Sequence, residues 1–332
     1  IAELYGKAAG CAGGHGGSMH VVDLAVGFLG ATPIVASAIP IAVGAALGSV
    51  MRHESRVTVI FFGDAAPEAG VFHESLNFAR LKRLPVVFVC ENNLYSVYSP
   101  MAVRQPADRT IASLAAGHGM PSRRGDGNDV VEVFTLAQEA LTRARDGGGP
   151  TFLEFATYRW REHCGPAYDN GLGYRSRQEF QEWKARCPIA RCRERLVGEG
   201  LLNRQDEEAT ITRLAEEIDA AFRFAKDSPV PEPEGLLEHV YAPSPHLCVA
   251  RRANPPRSAE TQVGGPMTRT LTYAEAIREA LEVCLAKDPA VYLIGLGVPD
   301  PKGVFGTTVG LKQRYGPSRV MDMPTSENGI TG

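Results

Sequence analysis

The chain has 332 residues, 44% of them hydrophobic, and a formal net charge of −3. This is enough for substantial cores in about two domains, and the slight acidic balance excludes the basic footprint of a nucleic-acid or membrane-surface binder. No run is long and apolar enough to span a bilayer. Seven scattered cysteines, an odd number without zinc spacing (Cys187 and Cys192 included), read as reduced thiols in a cytoplasm.

In chain order, the first notable stretch is Gly13-Gly14-His15-Gly16-Gly17-Ser18-Met19-His20. Its glycines open unusual backbone angles and close ligand approach, although a bare glycine-rich run is also what a flexible surface loop looks like. Thr32 to Pro40 reads as a turn leading into a small-residue helix. Ile34 to Val50 is apolar, rich in Gly and Ala and broken by Pro40, so a buried helix is expected there. Val57 to Phe62 is short, β-branched and apolar, the pattern of a strand buried on both faces. It closes on Gly63-Asp64-Ala65-Ala66. Between Glu68 and Leu84, Val71, Phe72, Ser75, Leu76, Phe78, Ala79 and Leu81 recur near helical spacing, and Pro85 ends the helix. Val86 to Cys90 reads as a second buried strand and closes on Glu91-Asn92-Asn93.

Strand, helix and strand in that order form a βαβ unit with parallel strands and a right-handed crossover. Asp64 and Asn93 then emerge at carboxyl ends of strands, the edge at which open α/β sheets bind ligands. Either dipeptide alone would be an ordinary turn or helix cap. With about 30 residues between Gly63 and Asn93 on this framework, the pair is far more specific. One carboxylate, one carboxamide and a backbone carbonyl just after Asn93 can hold Mg²⁺, and through it a diphosphate.

Further along, Thr151 to Ala156 reads as a strand. The loop after it, Tyr158-Arg159-Trp160-Arg161-Glu162-His163-Cys164-Gly165-Pro166, suits an anionic ligand or, equally, a solvated basic surface. A helix is expected over Asp206 to Ala225 from the spacing of Ile211, Leu214, Ile218, Ala221 and Phe222. The proline-rich stretch over 227–266 reads as an extended linker. From about Met267 a second α/β domain begins, with a helix over Tyr273 to Ala286, Thr272 as its N-cap and a strand over Ala290 to Gly295. Both ends read as interruptions, so the expected organisation is a truncated first domain over 1–226, a linker over 227–266 and the truncated start of a second domain over 267–332.

The run GDAAPEAGVFHESLNFARLKRLPVVFVCENNLYSVYSP, with GCAGGHGGSMH before it, resembles the thiamine-diphosphate signature of the 2-oxo acid dehydrogenases. These are the decarboxylating first components of the pyruvate and branched-chain complexes, with acetoin dehydrogenase a close relative. The resemblance implies a thiamine-diphosphate-binding α/β fold, a parallel sheet flanked by helices, with thiamine diphosphate and Mg²⁺ as cofactors. It makes Asp64 and Asn93 metal ligands, with Tyr95 giving its backbone carbonyl, and puts Gly63, Ala65 and Ala66 beside the diphosphate. Ala65 stands where the family has glycine, so a weaker approach to the diphosphate is expected. Pro33 would offer its carbonyl to the 4′-amine of the pyrimidine, and Val35 its N–H to N3′ and its side chain to bend the cofactor.

By the same resemblance His163 contacts the diphosphate side and takes part in acyl transfer. His20 lines the active site, His15 is solvated and Arg159 is a structural ion-pair partner. Cys164 stands where some relatives carry a regulatory serine, which excludes control by phosphorylation at this position. Arg319 to Gly329, with Lys302 to Thr308, resembles the start of the partner (beta) subunit, which makes Glu327 the carboxyl group opposite N1′ of the pyrimidine. Gly295-Leu296-Gly297 departs from the Gly-Glu-Glu turn often found there.

Together these imply a fused alpha–beta chain, a homo-oligomer whose sites form between subunits. It would decarboxylate a 2-oxo acid and pass the acyl group to the lipoyl carrier of an acyltransferase, with His163 and His20 moving protons. This stretch of chain alone is expected to show negligible turnover. Acetoin cleavage or a transketolase-like ketol transfer would use the same cofactor. The alternative of another class is a non-catalytic α/β binding or scaffold module.

Overall fold

The computed structural model describes residues 1–233, 235 and 270–322. The chain forms two compact units. The smaller comprises Ile1–Ala31 with Thr210–Thr272, and the larger comprises Thr32–Ala209 with Tyr273–Gly332.

The larger unit opens with α1 (Ala38–Met51), β1 (Thr58–Gly63), a 3-10 turn (Ala66–Glu68), α2 (Gly70–Leu81) and β2 (Val86–Asn92). A short hairpin, β3 (Tyr95–Ser96) and β4 (Ser99–Pro100), leads into α3 (Met101–Arg104) and α4 (Ile111–Gly117). Then come β5 (Ser122–Asp126), α5 (Val130–Arg145), β6 (Thr151–Ala156), α6 (Arg177–Lys184) and α7 (Pro188–Gly198). After α8 (Arg204–Asp227), the described chain resumes with α9 (Tyr273–Lys287), β7 (Leu293–Ile294), α10 (Leu311–Tyr315) and β8 (Val320–Met321).

The main sheet has the order β1-β2-β6-β5 and every pairing in it is parallel. Helices cover both faces. On one, α1, α2 and α4 bring Ile39, Val43, Phe72, Leu76 and Ile111 against Phe88 and Phe152. Phe72 meets Phe62 and Phe152 edge-on, each with ring centroids 6.0 Å apart, a favoured aromatic geometry. On the other face α5 packs Ala140, Val133 and Leu136 over Val87, Val89, Leu153 and Phe155. The expected βαβ unit is present, with Gly63 in register with Glu91.

Several expectations need correction. β1 is not buried on both faces: Val59 and Phe61 are 38% and 61% exposed, because β1 is the end strand and α5 lies over β2, β6 and β5. Pro40 does not break α1. It falls in the first turn, where backbone N–H groups have no intrahelical acceptor to lose. Nor is α1 wholly buried: Ile39, Ala42, Val43, Ala46 and Ser49 form the inward stripe while Ile41 is exposed. The helix expected from Glu68 is split at Ala69, whose extended backbone (ψ 139°) separates the 3-10 turn from α2. The strand over 290–295 shortens to β7, which pairs in parallel with β8 above a small core of Leu285, Leu311 and Val320. Beyond residue 235 the proline-rich stretch lies outside the described residues as far as 269. Among the described residues no helix is long and apolar enough to cross a membrane.

Candidate active site at the sheet edge

Asp64 follows β1 and Asn93 follows β2, and the two strands pair in register to the end of β1, Gly63 opposite Glu91. Neighbouring strands run about 4.8 Å apart, so both residues leave the same edge of the sheet. Asp64 is 1% exposed. Its Oδ2 takes a charge-assisted hydrogen bond from Arg104, whose other guanidinium nitrogen serves Glu68. The Arg104 side chain is fully buried. Gln105 Nε2 donates to the Asp64 carbonyl at 3.1 Å. Asp64 and Glu68 are thus both tied to one buried guanidinium, and a hydrogen bond to Asp64 Oδ2 sets how its other oxygen is aimed.

The two asparagines have different tasks. Asn92 is buried and structural: its Nδ2 donates to Glu154 Oε1 at 2.8 Å, and its Oδ1 accepts from Leu94 N at 3.2 Å. Asn93 Oδ1 accepts from Tyr95 N at 3.0 Å, an Asx turn. Tyr95 faces Pro100 across the hairpin, and a proline has no N–H to give the Tyr95 carbonyl. Among the described residues no three His, Cys, Asp or Glu side chains converge as a metal site. A metal here would rest on Asp64, the Asn93 amide oxygen and the Tyr95 carbonyl, with phosphate and water completing the shell. That hard, oxygen-only set fits Mg²⁺.

Ala65 sits without strain, at φ −85° and ψ −27°, a right-handed backbone open to any L-residue. Ala65 and Ala66 are both buried at the turn beside Asp64. Pro33 and Val35 are exposed on the turn before α1, where Ala36 takes φ 65°.

His163 lies on the loop that leaves β6, the strand next to β2. Arg159 holds this loop, donating to the Val97 carbonyl at 2.7 Å and to Tyr174 Oη at 3.0 Å, with Asp169 at 3.9 Å. The expected structural role of Arg159 is therefore seen. Tyr158 stacks on Trp183 (5.5 Å, 10°) behind it, and Arg175 pairs with buried Asp169. His163 reaches the surface, yet partial burial of its ring and the Arg159 charge push its pKa below the ordinary imidazole value. Glu327 lies outside the described residues.

The glycine-rich loop is in the smaller unit, and it is not simply a flexible run. The N–H groups of Ala12, Gly14 and Gly16 donate to the Glu3 carboxylate at 2.8, 3.0 and 2.6 Å. Glycine is required where the loop closes: a Cβ on Gly14 would come within 2.8 Å of the Gly6 carbonyl carbon, and one on Gly16 within 2.5 Å of His20 O. His15 and His20 are exposed, with His20 Nδ1 3.3 Å from the Gly16 carbonyl. Sequence reasoning missed Arg104, Glu68 and Glu3. Of these, only Glu68 carried a local signal, four residues after Asp64.

A parallel α/β sheet flanked by helices, with a carboxylate and a carboxamide leaving neighbouring strand ends, is the class of fold and site described by these residues. The chain belongs to the dehydrogenase E1 component family, which matches residues 1–234. It is 39% identical over 242 residues to the alpha subunit of acetoin:2,6-dichlorophenolindophenol oxidoreductase from Bacillus subtilis, covering 73% of this chain and 71% of the relative. It is 38% identical over 248 residues to the chloroplastic pyruvate dehydrogenase E1 component subunit alpha-3 of Arabidopsis thaliana, covering 73% of this chain but 57% of that protein. The alpha subunit of 2-oxoisovalerate dehydrogenase from Bacillus subtilis is 36% identical over 213 residues, 64% of this chain and 63% of the relative.

Proposed function

We propose that the chain carries the diphosphate-binding half of a thiamine-diphosphate- and Mg²⁺-dependent site that decarboxylates a 2-oxo acid and hands the acyl group to a lipoyl-bearing acyltransferase. The observation that carries this is the pairing of buried Asp64 with Asn93 at adjacent ends of two parallel strands. In this reading Asp64, Asn93 and the Tyr95 carbonyl hold Mg²⁺, and Gly63, Ala65 and Ala66 border the diphosphate. Arg104 takes one oxygen of Asp64 and so fixes how the other is aimed. When bound, thiamine diphosphate supplies the electron sink for decarboxylation.

The remaining roles belong to side chains around it. Pro33 and Val35 orient the pyrimidine, and Glu327 holds a proton at N1′. His163, its pKa lowered, is neutral at pH 7 and can accept a proton, with His20 as a second carrier. Residues 267–332 would be the start of a beta-subunit-like pyrimidine domain, fused in one chain that acts as a cytoplasmic homo-oligomer. Acetoin cleavage is the second reading, since the 39% identity to the acetoin oxidoreductase relative stands level with the 38% to a pyruvate dehydrogenase relative.

The test is thiamine diphosphate titration of the full-length protein, followed by intrinsic fluorescence, with and without Mg²⁺. Binding that requires Mg²⁺ and is lost in Asp64→Ala is expected. Absence of Mg²⁺-dependent binding would sink the proposal and favour a non-catalytic module. Turnover of 2-oxo acids against acetoin with an artificial electron acceptor then separates the two reactions. A reaction needing neither electron acceptor nor lipoyl carrier, but requiring an aldehyde as acceptor, would indicate ketol transfer.

A further inference from the structure

The loop after Asn93 holds a conformation that its own sequence does not favour. Leu94 and Val97 both adopt positive φ, 72° and 55°, a left-handed backbone that strains a non-glycine residue and is rarest for β-branched side chains. The hairpin pairs only Tyr95 with Pro100 and Ser96 with Ser99. Something outside it must hold it in place.

Arg159 supplies one anchor at the Val97 carbonyl. The others come from about 200 residues downstream in the same unit. Ser99, fully buried, donates its hydroxyl to Asp322 Oδ2 at 2.6 Å. The other oxygen of that carboxylate accepts from Gly297 N at 2.9 Å, so Asp322 ties the hairpin to the turn after β7. Lys302 Nζ lies 2.5 Å from Glu162 Oε2, next to His163, and 5.6 Å over the Tyr98 ring. Two loops bearing proposed cofactor residues, one with Asn93 and Tyr95 and the other with His163, are thus fastened by a single downstream segment.

We propose that the segment from Gly297 to Asp322 is an intrachain clasp that fixes these two loops, with Asp322 and Lys302 as positioning residues for the metal–diphosphate site. The effect on cofactor rests on the proposed function; the effect on the loops does not. A buried hydroxyl needs a partner, and Asp322 provides a charged one. Between the Asp322 and Lys302 contacts, Ser99–Asp322 should dominate, since the Lys302 side chain is 43% exposed and such ion pairs are screened.

The full-length protein tests this in two ways. Amide hydrogen exchange, measured without cofactor, should be at least about tenfold faster at residues 94–99 in Ser99→Ala and in Asp322→Ala. The double variant should be no faster than either single one, as expected for partners in one hydrogen bond. Exchange there equal to wild type, or single effects that simply add, overturns the clasp. Lys302→Glu should weaken Mg²⁺-dependent thiamine diphosphate binding about threefold to fivefold, and adding Glu162→Lys should restore it. The reversed pair keeps the fold testable if Asp322→Ala fails to fold, and failure of rescue counts against the Lys302 anchor. If wild type binds no thiamine diphosphate, the proposed function fails, while the exchange experiment still decides the clasp.

Discussion

Asp64, Glu68 and Arg104 form a buried set in which one guanidinium answers two carboxylates. Removing the cation leaves like charges facing each other away from water. Arg104→Met should therefore cost about 3–5 kcal/mol in urea unfolding, the usual consequence of stranding a buried charge, and a loss under 1 kcal/mol would contradict the arrangement. Glu3 gives a second, pH-dependent test. Burial alone would raise its pKa, but the N–H groups of Ala12, Gly14, Gly16 and Gly17 outweigh that and hold it below the ordinary 4.5. A depressed carboxylate adds stability that is complete above the ordinary value and is lost as pH falls through the folded one. The smaller unit should thus loosen below about pH 4.5, and Glu3→Gln should remove that pH slope while lowering stability at pH 7; circular dichroism across pH 3–7 reads both. Asp64 and Asn93 were legible in the sequence because each closes an apolar run. Arg104 was not, since its partners are set by where a strained hairpin delivers α3. Glu3 was hidden because its donors are backbone N–H groups, which carry no residue signature.

Elements were legible where a local pattern decides them. The β-branched runs give β1 and β2, and α2 follows from its helical spacing. What sequence could not show is which strand ends the sheet, because strand order is set by non-local pairing; hence Val59 and Phe61 face outward despite an apolar run. β7 fell short of its expected length because it pairs only through Leu293 and Ile294. Near β7, Asp300 carries a testable charge effect. Burial first, then the Asp322 carboxylate, push its pKa up to about 6, with Lys312 and the Tyr98 N–H acting the other way. A raised carboxylate binds its proton more tightly folded than unfolded. Stability is therefore gained as pH falls from about 6 towards the ordinary 3.8, and is lower above 6. Asp300→Asn should stabilise the larger unit by about 1 kcal/mol at pH 8, a value already reduced for a half-exposed group, and change little below pH 4. Denaturant midpoints at the two pH values give the result, and equal shifts at both would exclude the ionisation of Asp300 as the cause.

At the scale of the molecule, the compact units do not follow chain order: residues 1–31 group with 210–272, and 273–332 with 32–209. Reading along a sequence finds segments, whereas contacts between distant segments decide which ones fold together. Each unit has its own source of stability. The larger has a four-stranded sheet with a hydrophobic cluster under the helices on each face. In the smaller, the described residues are turns over 1–31, with the glycine-rich loop held by Glu3, and the C-terminal part of α8. There Ala8 N bonds Pro229 O at 3.0 Å, Tyr5 meets the Phe222 ring at 6.1 Å, and Ile211, Leu214, Ile218 and Phe224 of α8 are exposed. With little apolar area removed from water among its described residues, the smaller unit should unfold first, since burial of such area is the main favourable term in folding. Calorimetry should accordingly resolve two transitions rather than one two-state unfolding. Glu3→Gln should lower only the first midpoint, and Arg104→Met only the second. A single transition that both substitutions shift together would show instead that the two units unfold as one cooperative body.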